Sequence, residues 1–337
     1  MASNQVTESI RSLAAYLAAN DNYLLTTHLT PDGDGLGSQL ALHRVLVGMG
    51  KSVQILNCSS VPADLRFMVR SGEIITYRAD RHEELVKTID HIIAFDLGGA
   101  GRLGRMEKPV RAAKGKRILI DHHIFDDDLF RDGVIAPDRS SSAEITFELI
   151  KAMDQEVTRE VAEPLYVGIV QDTGSFNYNT TSHFTHLVAA ELLQAGVNPH
   201  RIWKRLNCQQ PLKRMRLLGQ NLARIDMSAC GRVARVKVSL NFLKECDGEV
   251  RDAFEVINHL LMIDGVEVGL LGLQIGSDRT KFSLRSSGRC DVFSIASSFG
   301  GGGHRFAAGF TIEDRDFDAA YTDVVTKVRA LVARLED

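Results

Sequence analysis

An apolar run with strand composition, Tyr23–Thr27, opens into a loop carrying His28, Asp32 and Asp34, punctuated by Pro31, Gly33, Gly35 and Gly37. An amphipathic stretch at 36–47 then reads as a helix. Strand, polar loop and helix make the first half of a βαβ unit, and in such sheets ligands bind beyond the carboxyl ends of the strands. One imidazole and two carboxylates within seven residues form a compact donor set for a divalent cation. In an extended loop, side chains two residues apart lie on one side, so Asp32 and Asp34 can point the same way. The glycines would supply the tight backbone that brings His28 round to meet them. Pro-Asp-Gly is also ordinary turn chemistry, so the reading needs partners further along.

Three segments supply them. The stretch 91–96, HIIAFD, reads as a buried strand ending in Asp96, followed by a loop with Gly98, Gly99 and Gly101. The stretch 117–121, RILID, reads as another, followed at once by His122 and His123. Helical patterns follow at 140–153 and 161–171, the second closing on Asp172-Thr-Gly-Ser-Phe. Each has a plain structural explanation, a turn-capping aspartate or a surface pair of histidines. Together they converge on one donor set: His28, Asp32, Asp34, Asp96, His122 and Asp172.

The rest of the chain fits an α/β protein. Helical spacing is found at 5–19, 183–195 and 198–206, a short strand at 53–56, and a polar, irregular stretch at 62–81. Between Arg201 and Arg216 six basic residues occur without an acidic one, a solvated helix face or a substrate-steering stripe. From Arg232 the pattern changes to strands at 233–238, 266–275 and 282–286, with helices at 252–262, 290–299 and 317–335 and a strand at 308–312. This places a first domain at 1–206, a linker at 207–225 and a smaller domain at 226–337. In the second, Gly300 to Gly303 lead into His304. A turn of this kind exposes backbone N–H groups as an anion nest, and Arg285 and His304 supply the charge and donors that a terminal phosphate needs.

Composition removes other classes. The 337 residues are 44% hydrophobic and 25% charged with net charge −3, so no global field attracts nucleic acid and basic character must act locally. Five widely spaced cysteines, with no CxxC, point to reduced thiols in a cytoplasmic protein. No signal-peptide pattern and no apolar run of membrane-span length is present.

HLTPDGDGLGS, FDLGG, IDHH and QDTGSF, in this order, resemble the four motifs of the DHH phosphoesterase superfamily, and the segment ending in Gly301–His304 resembles the DHH-associated C-terminal domain. The likeness is greatest to the nanoRNase group, the bifunctional oligoribonucleases and pAp phosphatases of NrnA type. It implies a parallel-sheet catalytic domain, a smaller mixed α/β substrate-binding domain and a cleft between them. It further implies two divalent ions, usually Mn2+, with Co2+ or Mg2+ as alternatives. His28 and Asp32 would hold one, Asp34, His122 and Asp172 the other, and Asp96 would bridge. His123 would meet the substrate as phosphate contact or proton donor, and Asp121 would orient its neighbours. Arg285, Gly301, Gly302, Gly303 and His304 would bind substrate. Gly98 and Gly99 stand where the family commonly has polar residues, which leaves Arg102 as that loop's substrate contact. The implied substrates are very short single-stranded RNA and 3′-phosphoadenosine-5′-phosphate (pAp). A phosphodiesterase for linear or cyclic dinucleotides, a manganese pyrophosphatase and a catalytically silent nucleotide- or RNA-binding module are the alternatives. The sequence leaves a homodimer open.

Overall fold

The computed structural model describes residues 2–125, 127–208 and 210–335, without the side chains of residues 2–4 and 304. Its contacts divide the chain into two compact units, Met1–Gln209 and Gln210–Asp337, and each is described by itself.

The first unit is built on six parallel strands. In chain order its elements are α1 (Ala2–Ala19), β1 (Tyr23–Thr27), α2 (Gly33–Gly48), β2 (Val53–Asn57), β3 (Ile74–Thr76), α3 (Ala79–Thr88), β4 (His91–Phe95), α4 (Glu107–Arg111), β5 (Lys116–Asp121), β6 (Asp132–Ile135), α5 (Ser142–Ala152), α6 (Arg159–Asp172), α7 (His183–Gln194) and α8 (Pro199–Asn207). The spatial order is β3-β2-β1-β4-β5-β6, so the winding reverses between β1 and β4. Alternate residues of the central strands face opposite ways: Tyr23, Leu25, Ile93 and Phe95 enter the core under α1, α2, α5 and α6, whereas Leu24, Ile92 and Ala94 enter the core under α3 and α4. Both faces are covered, which explains why these strands read as unbroken apolar runs. The carboxyl ends on either side of the reversal are where such sheets bind ligands.

Two departures from the sequence reading concern sheet edges. The stretch 62–81 is not wholly irregular, since it contains β3, paired with β2 from Ile55↔Ile74 to Asn57↔Thr76, and the start of α3. The edge strand β6 gave no periodic signal because only Val134 of its four residues is buried.

The second unit holds α9 (Leu212–Leu222), β7 (Asp226–Met227), β8 (Val233–Val238), α10 (Leu240–Glu245), α11 (Val256–Leu260), β9 (Val268–Gln274), β10 (Thr280–Ser286), α12 (Val292–Ser298), β11 (Gly302–His304), β12 (Ala307–Ile312) and α13 (Phe317–Val332). Its sheet runs β11-β12-β10-β9-β8-β7 and is mixed, with β8 and β9 parallel and the other pairs antiparallel. Residues 212–222, expected within the linker, form α9, whose buried Leu217 and Leu218 join the core of this unit. Among the described residues no helix is long and apolar enough to cross a membrane.

Candidate active site

The carboxyl ends of β1, β4 and β5 deliver His28, Asp96 and His122. Around them the donors fall into overlapping groups: His28, Asp32 and Asp96; Asp34, Asp96, His122 and Asp172; and Asp96, His122 and His123. Asp96 belongs to all three. His28 Nε2 lies 3.3 Å from both Asp32 Oδ2 and Asp96 Oδ2. His122 Nε2 lies 2.9 Å from Asp172 Oδ2, 3.6 Å from Asp96 Oδ1 and 4.0 Å from Asp34 Oδ2. His28, Asp34 and Asp96 are buried, while Asp32 keeps a half-exposed side chain. Asp96 has a left-handed φ of 50°, which turns the chain sharply at the strand end.

The local folding of the first loop differs from the extended form expected. Asp32 is the N-cap of α2, and its Oδ1 accepts from the N–H of Asp34 (3.1 Å) and of Gly35 (3.2 Å). Asp34 already lies in the first helical turn. The glycines serve close packing, not a tight backbone. A Cβ at Gly33 would meet Gln171, at Gly35 the hydroxyl of Thr27, and at Gly37 the carbonyl of Pro164. From the other side, a Cβ at Gly168 would stand 3.0 Å from Asp34 Oδ1. These glycines let α2 and α6 approach until Asp34 and Asp172 belong to one cluster.

Sequence reasoning missed the group that holds Asp34. Its Oδ2 accepts from Ser142 N–H at 2.7 Å and its Oδ1 from Ala143 N–H at 2.8 Å, both at the N-terminus of α5, where helix N–H groups and dipole favour an anion. The readable signal is Ser141-x-x-Glu144, a capping-box pattern: Ser141 caps α5 by accepting from Glu144 N–H. The Glu144 side chain turns elsewhere and accepts from the hydroxyls of Ser140 and Thr185, which ties α5 to α7.

Asp121 sits at the centre of a second set of bonds. Its Oδ2 accepts from the N–H groups of Leu97 and Gly98, each at 2.8 Å, and its Oδ1 accepts from His123 N–H and lies 2.9 Å from His123 Nδ1. It therefore fixes the loop after Asp96 and the ring of His123 together. A hypothetical Cβ at Gly98 would meet Arg102 Nη1 and the His123 ring, so Arg102 lies beside that loop.

The cluster fits a divalent cation by three observations. Among the described residues, buried His28 Nδ1 and Nε2, His122 Nε2 and Asp96 Oδ1 have no hydrogen-bond partner, their nearest polar neighbours being the other members of the cluster. Orphaned buried polar atoms demand an explanation, and a bound ion supplies one. Imidazole nitrogen with carboxylate oxygen suits manganese, zinc, iron or cobalt. The field also calls for positive charge. Burial opposes protonation of His122, yet Asp172 and Asp96 push it up to about 11. Burial and the neighbouring Asp172 and Asp96 push the Asp34 carboxyl well above its usual range.

In the second unit, Arg285 and His304 occupy register positions on either side of Ala307, on β10 and β11. Arg285 donates from Nη1 to Leu284 O and is half-buried; the side chain of His304 lies outside the described residues. The glycine run is not the open nest expected. Gly300 and Gly301 donate to Ser297 O and Ala296 O and end α12, while Gly302 and Gly303 pair with β12. The N–H of Gly301 is therefore committed to the helix end, and Gly302 and Gly303 are strand residues at the sheet edge.

A parallel sheet that delivers imidazole and carboxylate from three adjacent carboxyl ends to one buried cluster has the build of a metal-dependent active site. Residues 22–169 match the model of the DHH family, N-terminal domain, and residues 236–334 match that of the DHHA1 domain. The chain is 31% identical over 328 residues to the bifunctional oligoribonuclease and PAP phosphatase NrnA of Thermus thermophilus, covering 97% of this chain and 95% of that protein. It is 26% identical to the Bacillus subtilis protein of the same name, covering 92% and 94%. An exopolyphosphatase-related protein of Bacteroides fragilis superposes with a TM-score of 0.89 at 26% identity, over 97% of this chain and 98% of that one. The chain belongs to the DHH family of phosphoesterases and carries both its domains.

Proposed function

We propose that this protein is a two-metal phosphoesterase that degrades very short RNA to mononucleotides and removes one phosphate from pAp. The observation that carries the reading is the sharing of Asp96 between His28 and Asp32 on one side and Asp34, His122 and Asp172 on the other. The first pair with Asp96 would hold one divalent ion, the second set with Asp96 the other, and manganese suits both. Two such ions supply an activated water and a clamp on the phosphoryl oxygens. The chain's own groups do the rest. Water oxygen attacks phosphorus, the bond to the leaving ribose oxygen breaks, and that oxygen takes a proton. His123 would give it: Asp121 engages Nδ1, which leaves Nε2 of this one-third exposed side chain for the substrate. Arg102, beside the Gly98 loop, would contact the phosphate.

To the second unit we assign the grip on the substrate's terminal phosphate, through Arg285 and His304 with the one amide of the Gly302–Gly303 pair that faces away from β12. The catalytic domain would be 1–206 and the binding domain 226–337 with α9 added to it. The relatives named as oligoribonuclease and PAP phosphatase support these substrates.

A substrate panel tests the reading: pAp, 2-mers, 5-mers, 24-mers, cyclic dinucleotides and pyrophosphate, each with Mn2+ and after chelation. Metal-dependent turnover of pAp and of 2- to 5-mers above 24-mers is expected. Turnover of pyrophosphate alone, or of cyclic dinucleotides in preference, would replace the substrate assignment. Hydrolysis indifferent to chelation would end the two-metal mechanism.

A further inference from the structure

The turn leaving Asp172 is strained in a way the metal cluster does not require. Gly174, Ser175 and Phe176 all have left-handed φ, at 54°, 60° and 67°. Two of the three carry side chains for which that region is uncommon. Such strain persists where the surroundings over-determine it, and it gathers at ligand sites. The surroundings here are specific. Ser175 N–H donates to Val170 O at 2.7 Å, Phe176 N–H to Thr173 Oγ1 at 3.0 Å, and the N–H groups of Asn177 and Tyr178 both donate to Thr173 O. The Phe176 ring is stacked on His186 with centroids 5.3 Å apart and also meets Tyr166.

The product of this construction is the position of Tyr178. Its ring lies over Gly174, where a Cβ would come within 2.5 Å of the ring carbons, so the glycine admits the ring. Phe176 takes the inward, apolar place in the turn, whereas Tyr178 is 58% exposed. A turn with no ligand to serve could relieve the strain with glycine or asparagine at 175 and 176. Two other segments of the site repeat the pattern. Leu29 follows His28 and Ile124 follows His123, and both are exposed apolar side chains. The polar cluster is thus accompanied by apolar surface on three of the segments that build it.

We propose that Tyr178 is a stacking platform for a nucleobase, which holds the nucleoside whose phosphate lies at the histidine and aspartate cluster. This rests on the reading of the site as a nucleotide phosphoesterase and names how the nucleotide is gripped. A flat ring with its underside on a glycine backbone offers its outer face to any base, because every base has a π-face. The contact selects nucleotides over other phosphate esters without selecting among bases.

The test compares binding of adenosine 5′-monophosphate and ribose 5-phosphate, by calorimetry, to the Mn2+-loaded full chain and to Tyr178→Ala and Tyr178→Phe. The natural chain should bind the nucleotide more tightly. Tyr178→Ala should weaken the nucleotide about five- to a hundredfold and leave the sugar phosphate unchanged, while Tyr178→Phe should keep the preference. Equal weakening of both ligands, an unchanged nucleotide affinity in Tyr178→Ala, or a Tyr178→Phe as weak as Tyr178→Ala would overturn stacking. Turnover of pAp by the natural chain is measured alongside. Base-selective binding without turnover would sink the catalytic reading and leave the platform standing; turnover with base-indifferent binding would do the reverse.

Discussion

The two glycine-rich segments of this chain look alike in sequence and act by partly different means. Gly33, Gly35 and Gly37 have ordinary helical backbone and matter for what is absent at Cβ, since each touches a group of β1 or α6 that a methyl would displace. Gly300, at φ of 72°, matters for backbone conformation, and Gly303, at 133°, for both conformation and close approach to Ala307 O; Gly301 lacks room for a Cβ beside Phe310 and Gly309 O, while Gly302 faces open space. The difference extends to the polar groups nearby. Around α2, ring nitrogens and a carboxylate oxygen are buried without hydrogen-bond partners. Around β11, the amides of Gly300 and Gly301 are satisfied by the end of α12. Unmet buried polarity marks a place built for a ligand that the chain cannot replace, whereas satisfied polarity marks a surface that binds with what remains. The first region should therefore fail completely when altered, and the second by degrees.

The largest effect is expected at Asp96. As the carboxylate common to the donor groups, its replacement in Asp96→Ala should abolish turnover and the paired uptake of metal, with circular dichroism unchanged. Full activity in that variant would remove the two-metal mechanism. His123→Ala should come next. It should keep both metals by elemental analysis yet lower kcat by about 10²- to 10⁴-fold, the range for a lost general acid. Loss of one equivalent of metal would instead place His123 among the ligands.

The site's residues were legible in the sequence where a donor ends an apolar strand, as at His28, Asp96 and His122. The parallel order of β1, β4 and β5 then brought them together, and that order follows from runs buried on both faces. Short edge elements such as β3 and β6 were not legible, because three or four residues with at most one buried side chain carry no period. The hold of α5 on Asp34 joins residues more than 100 positions apart, and no local pattern states such a contact. The glycine run was misread for a related reason. Four glycines specify freedom of backbone but not its use, and pairing with β12 decided the use.

Arg285→Ala should give the graded failure of the second region. A charge-assisted contact contributes roughly 1.5–3 kcal/mol, so kcat/KM for phosphorylated dinucleotides should fall on the order of ten- to a hundredfold. Because the contact would be made to the terminal phosphate and not to the ester being broken, much of the loss should appear in KM and a smaller part in kcat. A generic aryl phosphodiester, lacking the terminal phosphate, should be affected little. Equal losses on both substrates would make Arg285 structural and would erase the distinction between the two regions.

The smallest expected effects isolate the glycines themselves. In Gly37→Ala the new methyl would stand 2.2 Å from Pro164 O and 3.0 Å from Pro164 C. Both are main-chain atoms of α6, so no side-chain rotation relieves the contact and the helices must separate. Overpacking of this kind costs about 1–3 kcal/mol, read as a lower midpoint in urea. Since α2 carries Asp34 and α6 carries Asp172, the same shift should weaken metal binding. Gly302→Ala introduces its methyl into open space at an exposed edge position with ordinary φ. Its stability should change by no more than about 0.5 kcal/mol, with metal binding untouched. Indifference of metal affinity to Gly37→Ala would show that the close approach of α2 to α6 is a matter of packing alone. A large loss of stability in Gly302→Ala would show that the run is constrained at every position, and the contrast between the two glycine segments would fall.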